Sequence, residues 1–100
     1  MEYEWDEAKR LSNVLKHGID FADVVAVFEG HFTEAEDLRH TYRERRFLVT
    51  GKLGNDVIRV VCTWRGERCR LISARRAKRN ERRAYYASDA GAGPENEEPH

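Results

Sequence analysis

The chain has 100 residues and a formal net charge of zero, with 40% apolar and 36% charged residues, which suits one domain with a small core. Charged residues recur from Glu2 onward, which excludes a bilayer-spanning segment or a signal peptide, so we expect a soluble, cytoplasmic protein without membrane contact. There is no P-loop, dinucleotide-binding turn or zinc-ligand spacing, so we expect neither cofactor nor metal, and Cys62 and Cys69 are predicted to be free core thiols.

Charge is unevenly distributed along the chain. Residues 1–38 hold three basic and ten acidic side chains, and residues 39–83 hold fifteen basic and four acidic ones. Residues 88–100 add four acidic side chains and no lysine or arginine. This segregation indicates a surface for nucleic acid or another polyanion. The alternative is a solvated surface whose charges compensate one another.

Two helices are predicted near the N-terminus. The first spans about residues 7–17, with Asp6 as N-cap and Gly18 as terminator. Its buried stripe is predicted to consist of Ala8, Leu11, Val14 and Leu15. The second helix begins after Asp20 and ends at Gly30, and the two helices are expected to pack as a pair.

Strands follow, because β-branched and aromatic residues alternate with turn residues. They are predicted at about residues 32–38, 45–52, 57–64 and 68–74. Turn residues between the last three strands predict antiparallel hairpins. A third helix at about residues 78–87 completes an α+β fold, and the acidic segment 88–100 is predicted to be a disordered tail.

Side-chain alternation predicts the two faces of the last hairpin. An even loop places Cys69, Leu71 and Ser73 on the face that carries Ile58, Val60, Cys62 and Trp64. The opposite face is predicted to carry Arg59, Arg70, Val61, Thr63 and Ile72. Arginines among apolar residues either extend their stems towards solvent or form the floor of an anion site.

Basic residues are concentrated where the last strand meets the last helix. Arg75 and Arg76 end the strand, and the following helix adds further basic side chains together with Glu81 and Tyr85. A strand end is rigid, so these two arginines are expected to be held in place. A partner that carries phosphates fits such a junction.

Three motifs occur in order along the chain. They are Tyr3-x-Trp5-Asp6, Asn13-x-x-Lys16-His17-Gly18-Ile19-x-Phe21 and Ile72-Ser73-Ala74-Arg75-Arg76-Ala77-x-x-x-Glu81-Arg82-x-x-Tyr85. Together they resemble the BrnT toxin family over roughly residues 3–86. One departure is Lys78, which stands where a helix-capping threonine or serine would be easier to explain.

The resemblance implies a type II toxin with a RelE-like fold of two N-terminal helices, a four-stranded antiparallel sheet and a C-terminal helix, in a domain of residues 1–87. It implies an endoribonuclease that needs no metal, cleaves RNA by attack of the ribose 2′-OH and inhibits translation. The implied partner is a BrnA-like antitoxin, in a hetero-oligomer of a toxin dimer with an antitoxin dimer, which reaches operator DNA through the antitoxin.

Cleavage of this kind requires a base for the 2′-OH, cations for the charged phosphorane, and an acid or cation at the departing 5′-oxygen. The candidate catalytic residues are Lys16, His17, Arg59, Arg70, Arg75, Arg76 and Tyr85. The arginines suit the phosphorane because guanidinium groups match phosphate oxygens. Their alternative roles are general attraction of RNA and pairing with acidic residues of the same chain.

His17 is the acid–base candidate because histidine titrates near neutrality, although a histidine in the last turn also stabilises a helix C-terminus. Lys16 could approach a phosphate or serve the same helix end. Adjacent helical residues diverge by about 100°, so at most one of the two is expected to be central.

Glu81 and Tyr85 are one helical turn apart, so their side chains can meet. Glu81 is either a base or, as we favour, an ion-pair partner of Arg75 or Arg82. Tyr85 either stacks on a nucleobase or packs into the sheet. His40, Tyr42 and Arg43 form a second cluster in a predicted loop, and Glu36 is a further conceivable base.

Two other functions fit the same features. One is a non-catalytic module that binds nucleic acid or antitoxin and acts as a co-repressor, with salt-sensitive binding and no cleavage product. The other is a protein that binds only its partner, with a cationic face for an acidic antitoxin segment and no affinity for RNA.

Overall fold

The computed structural model describes residues 1–39 and 43–92. The protein is α+β, with a mixed sheet of five strands in the order β1-β5-β4-β3-β2. The strands are β1 (Glu2–Trp5), β2 (Phe32–Glu36), β3 (Phe47–Leu53), β4 (Asp56–Arg65) and β5 (Arg68–Arg76). The helices are α1 (Glu7–His17), α2 (Phe21–Val24), a 3₁₀ helix (Val25–Glu29) and α3 (Arg79–Ala92).

The prediction of four antiparallel strands is wrong in one respect, because β1 adds a fifth strand. Glu2–Trp5 pairs in parallel with β5, from Arg68 to Leu71, whereas β2, β3, β4 and β5 form the predicted antiparallel series. The partners are far apart in sequence, and a four-residue strand has too few residues to show a clear pattern by itself.

The second N-terminal helix is shorter than predicted. Only Phe21–Val24 is α-helical, and the chain continues as a 3₁₀ helix to Glu29. Three valines within this segment lower its preference for the α-helix. The helices α1 and α2 both pack on β5. The buried core then forms between one sheet face and the segment from Ile19 to Phe28.

The predicted helix ends are confirmed where local chemistry decides them. The Asp6 side chain accepts a hydrogen bond from the Ala8 N–H at 2.8 Å, and Gly18 ends α1 with a φ of 70°. Helix α3 continues to Ala92, five residues beyond the predicted end at residue 87.

The predicted buried stripe of α1 is wrong. Leu11 is 52% exposed and Leu15 is 88% exposed. Ala8 and Val14 are exposed as well. The only buried residue of α1 is Asn13. The apolar side of this helix therefore faces solvent, and its polar side faces the protein.

Asn13 explains this orientation through its hydrogen bonds. Its Nδ2 donates to the carbonyl oxygens of Ile19 at 2.8 Å and Ala74 at 2.9 Å, and its Oδ1 accepts from the Ala74 N–H at 3.0 Å. Strand β1 pairs with β5 only as far as Leu71. The Asn13 amide thus takes the place of a neighbouring strand at Ala74, and α1 is fixed by polar contacts.

The last hairpin has the predicted even loop, but a β-bulge changes the register beyond it. Arg65 pairs with Arg68 across a two-residue turn, and Cys62 pairs with Leu71. The pairing then passes over one residue of β5, so that Val61 pairs with Ser73. Ala74, which is fully buried, replaces Ser73 on the core face. The predicted face of Ser73 is therefore wrong, because a bulge inserts one residue and reverses the alternation that follows.

Cys62 and Cys69 are buried and free, as predicted. No helix of the described residues is long and apolar enough to cross a membrane.

Candidate active site

The two faces of the sheet differ in how they are covered. The N-terminal helices cover one face, and α3 covers the other at one end, where Val57, Ala77 and Tyr85 form a small buried cluster. Beyond α3 the cross-strand neighbours Leu48, Val61 and Ser73 are only half-buried. The surface formed by Leu48, Arg59, Val61, Ser73 and Arg75 is called the open face below.

The bulge brings two arginines together on the open face. Arg59 on β4 lies directly opposite Arg75 on β5. Without the extra residue, Arg59 would face Ala74, and Arg75 would point towards the N-terminal helices. Bulges often redirect side chains at functional sites in this way. Arg59 and Arg75 are called the arginine pair below.

Two like charges facing each other across strands destabilise a sheet unless a counter-charge joins them. Glu81 of α3 provides that counter-charge. Its carboxylate accepts from Arg75 Nη1 at 2.9 Å and Nη2 at 3.0 Å, and lies 3.2 Å from Arg59 Nη1. The favoured interpretation of Glu81 as an ion-pair partner of Arg75 is confirmed.

Glu81 also caps α3. Its Oε1 accepts the Lys78 N–H at 2.8 Å, which satisfies a backbone donor at the helix start. This bond explains why lysine is tolerated where a hydroxyl residue was expected. Arg82 is not a partner of Glu81 and instead donates to the Ala77 carbonyl at 3.0 Å.

The guanidinium of Arg75 and the Lys78 N–H help to lower the pKa of Glu81 from 4.5 to about 2. Glu81 is therefore ionised at neutral pH and is a weak base. A carboxylate whose pKa falls on folding stabilises the protein above its unfolded pKa. That stabilisation is complete above about pH 4.5 and is lost as the pH falls towards 2.

The arginine pair remains accessible while it is held in place. The side chains of Arg59 and Arg75 are 24% and 30% exposed, whereas that of Glu81 is 10% exposed. Arg59 Nε donates to Thr50 Oγ1 at 3.2 Å, and Arg75 Nη1 donates to the Arg76 carbonyl at 3.1 Å. Two guanidinium groups share one carboxylate, so the cluster keeps one net positive charge and suits an anion.

Arg70 shares the face of Arg59, as predicted, but lies at its far end. It pairs with Thr63, four residues along β4 from Arg59, a separation of about 13 Å. Arg70 Nη1 donates to Glu4 Oε2 at 2.8 Å, and this bond lowers the pKa of Glu4. Arg70 is thus bound to β1 and not to the arginine pair.

Lys16, His17 and Arg76 form a separate group. Arg76 follows Arg75 in the strand, so the two side chains leave on opposite sides. Arg76 Nη1 donates to the His17 carbonyl at 3.4 Å, and Nη2 lies 3.5 Å from an Asp56 oxygen. Lys16 and His17 are exposed in the last turn of α1. The seven candidates therefore do not converge on one point.

Tyr85 is 3% exposed, and its hydroxyl donates to the His31 carbonyl at 3.0 Å. This position favours packing over base stacking. Its neighbour Tyr86 is 45% exposed and lines a cavity of about 330 Å³ together with Arg76 and Arg82. Tyr86 was not among the candidates predicted from the sequence. Adjacent helical residues diverge by about 100°, so a packed Tyr85 directs Tyr86 outward.

The remaining candidates receive less support from their surroundings. Glu36 forms two hydrogen bonds with Arg45, at 2.9 and 3.0 Å, and these lower its pKa. Arg43 is exposed, and His40 and Tyr42 lie outside the described residues. Within residues 1–39 and 43–92, no cluster of three or more histidine, cysteine or acidic side chains could hold a metal ion.

Comparison with known families agrees with the motifs. Residues 5–81 match the family described as "Ribonuclease toxin, BrnT, of type II toxin-antitoxin system". No curated protein matches the chain significantly. A type II family implies an antitoxin partner, and its description assigns ribonuclease activity at the family level. Because the match covers more than half of the sequence, this chain belongs to the BrnT family of ribonuclease toxins.

Proposed function

We propose that this protein is an endoribonuclease that cleaves RNA without a metal ion, by attack of a ribose 2′-OH on the adjacent phosphate, and thereby inhibits translation. The observation that carries the proposal is the arginine pair, which Glu81 holds on the open face within 3.2 Å of its carboxylate. Guanidinium groups fixed in this way can stabilise charge in a transition state without first reorganising.

The scissile phosphate would bind at the exposed side of Arg59 and Arg75. A new bond forms between the 2′-oxygen and phosphorus, and the bond from phosphorus to the 5′-oxygen breaks. The 2′-OH loses its proton, and the departing 5′-oxygen gains one. The charge that develops on the phosphorane oxygens is stabilised by the two guanidinium groups, which remain protonated throughout.

The other candidate residues would bind RNA around this centre. Arg70 would contact a phosphate at the far end of the open face. Lys16, His17 and Arg76 would contact the RNA backbone beyond the end of β5, and the exposed Tyr86 would stack on an unpaired base. In this proposal Tyr85 supports α3 by packing, and Glu81 positions the arginine pair.

The antitoxin partner is proposed to be BrnA-like. By analogy with the BrnT family, a toxin dimer and an antitoxin dimer would form the inhibited complex. This complex would bind operator DNA through the antitoxin. Because its proposed substrate is RNA, the free toxin is proposed to act in the cytoplasm. Residues 1–87 are proposed as the toxin domain, and residues 88–100 as an acidic tail.

The proposal is tested with the full chain separated from its antitoxin and kept in excess chelator. We expect cleavage of single-stranded RNA into products with 2′,3′-cyclic phosphate and 5′-hydroxyl ends, detected by end-group analysis on a gel. RNA in which every 2′-hydroxyl is methylated should remain intact, because it lacks the nucleophile.

Three results would contradict the proposal. Loss of cleavage in chelator, or products with 5′-phosphate ends, would exclude 2′-OH attack without metal. Salt-sensitive RNA binding with no product, on free RNA and on ribosomes, would identify a non-catalytic module instead.

A further inference from the structure

Helix α1 has its apolar side directed away from the protein. At 100° per residue, Ala8, Leu11 and Leu15 fall within a narrow sector, and Asn13 lies almost opposite them. Leu15 is 88% exposed and Leu11 is 52% exposed, whereas Asn13 is 5% exposed. The surface formed by Ala8, Leu11 and Leu15 is called the α1 stripe below.

Single exposed leucines are common, but an aligned stripe on one helix is a feature of binding surfaces. The fold itself does not use this stripe, because α1 is attached through Asn13 and through Arg10, which pairs with Asp20 at 3.0 Å. The helical spacing of the apolar residues therefore suits a partner and contributes little to the core of this chain.

The border of the stripe indicates the charge of that partner. Ser12 and Lys16 lie about a quarter turn from the centre of the stripe, and Lys9 lies about a third of a turn from it, on the side towards Asn13. Lys9 and Lys16 are exposed and form no ion pair within the described parts of the chain. On the other border, Glu7 is already bound to Arg10. A partner with leucine-like side chains and neighbouring carboxylates would complement both features.

We propose that the α1 stripe is the docking surface for an amphipathic, acidic helical segment of the antitoxin. The family supplies the antitoxin as partner, so the proposal does not depend on the mechanism of RNA cleavage. A second copy of this chain fits less well. Antiparallel pairing of α1 with itself would bring Lys9 of one copy near Lys16 of the other and set like charges together.

The α1 stripe is distinct from the arginine pair, which α3 holds on the open face. Docking on Ala8, Leu11 and Leu15 would therefore anchor the antitoxin by apolar contacts that RNA cleavage at the arginine pair does not need. The same segment would reach Arg76, whose Nη1 lies 3.4 Å from the last carbonyl of α1. Variants of the stripe should therefore still cleave RNA but should be inhibited less effectively by the antitoxin.

The test compares full-length variants for affinity to the purified cognate antitoxin, measured by titration calorimetry. Leu15→Gln should weaken binding at least about 10-fold, and Leu11→Gln with Leu15→Gln should weaken it further. Leu38→Gln is the matched control, because Leu38 is 80% exposed and outside the stripe. It should change affinity less than about twofold.

A charge reversal provides an independent second variant. Lys9→Glu should weaken antitoxin binding, and the loss should shrink as salt is raised, because the interaction is screened. Melting temperatures of all variants should match that of the parent chain, since the substituted side chains are exposed. RNA cleavage by the antitoxin-free leucine variants should be unchanged, which separates this test from that of the proposed ribonuclease activity.

Three outcomes would overturn the proposal. One is antitoxin affinity that stays within about twofold in the double leucine variant. In another, the double leucine variant breaks up a dimer of this chain while its affinity for the antitoxin stays unchanged. The stripe would then be the interface with a second copy of the chain. In the third, the double leucine variant loses RNA binding but keeps its affinity for the antitoxin.

Discussion

Replacement of either arginine of the pair, by Arg59→Gln or Arg75→Gln, is expected to lower the rate of RNA cleavage by about 100-fold or more. Glutamine keeps a polar side chain but removes the charge and the forked donors that face the phosphorane. Single-turnover measurements with enzyme in excess give the rate of the chemical step. RNA affinity should fall much less than the cleavage rate, because the lost interaction acts mainly in the transition state.

The matched control for this prediction is Arg83→Gln. Arg83 lies on α3, is exposed, and forms no ion pair within the described residues. This variant removes the same charge from the same helix and should keep the cleavage rate within about threefold of the parent. Equal losses in the control and in the arginine-pair variants would mean that only general attraction of RNA is at work.

Removal of the Asn13 side chain should have the largest effect on stability. Asn13→Ala leaves the N–H and C=O of Ala74 and the C=O of Ile19 without their partner. The site is almost fully buried, with Asn13 5% exposed. Unpaired buried polar groups each cost about 1–3 kcal/mol, so we expect the free energy of unfolding to fall by about 3 kcal/mol.

Urea unfolding followed by circular dichroism measures this change. Ser12→Ala is the matched control, because Ser12 is the exposed neighbour on the same helix. Its free energy of unfolding should differ from that of the parent by less than about 0.5 kcal/mol. A loss below about 1 kcal/mol in Asn13→Ala would show that water replaces the amide at Ala74 and that α1 is not fixed by this contact.

Local chemistry made much of the fold predictable from sequence. Asp6 and Gly18 define the ends of α1 through hydrogen bonds and backbone conformation that depend on a few neighbouring residues. The turn residues between β4 and β5 predicted the hairpin, and the alternation of apolar side chains predicted its even loop. The pairing of Glu81 with Arg75 was likewise predictable, because both residues belong to one short motif.

Features that depend on distant partners were missed. Strand β1 forms only because β5 offers an edge more than sixty residues away in sequence. The orientation of α1 depends on unpaired backbone groups at Ala74, so a polar contact outweighs the apolar periodicity that predicted a buried stripe. Periodicity indicates which side of a helix is apolar, but it cannot indicate whether the core or another protein covers that side.

The pairing of Arg59 with Arg75 could not be predicted from the sequence, because it depends on the β-bulge. The sequence placed Arg59 and Arg70 on one face, and the structure keeps them there, about 13 Å apart, with Arg70 paired to Glu4. The extra residue in β5, opposite Val61 and Cys62, aligns Arg59 with Arg75. No local signal in the strand reveals that extra residue. The list of candidates therefore contained Arg59 and Arg75 but lacked the geometry that brings them together.

In this mechanism the open face binds the RNA at the arginine pair. The most direct test is a titration of the isotope-labelled chain, free of antitoxin, with RNA whose 2′-hydroxyls are all methylated, so that it binds without being cleaved. Amide chemical shifts should change most at Leu48, Arg59, Val61, Ser73 and Arg75. Changes confined to α1 and Arg76, with none on the open face, would contradict the claim.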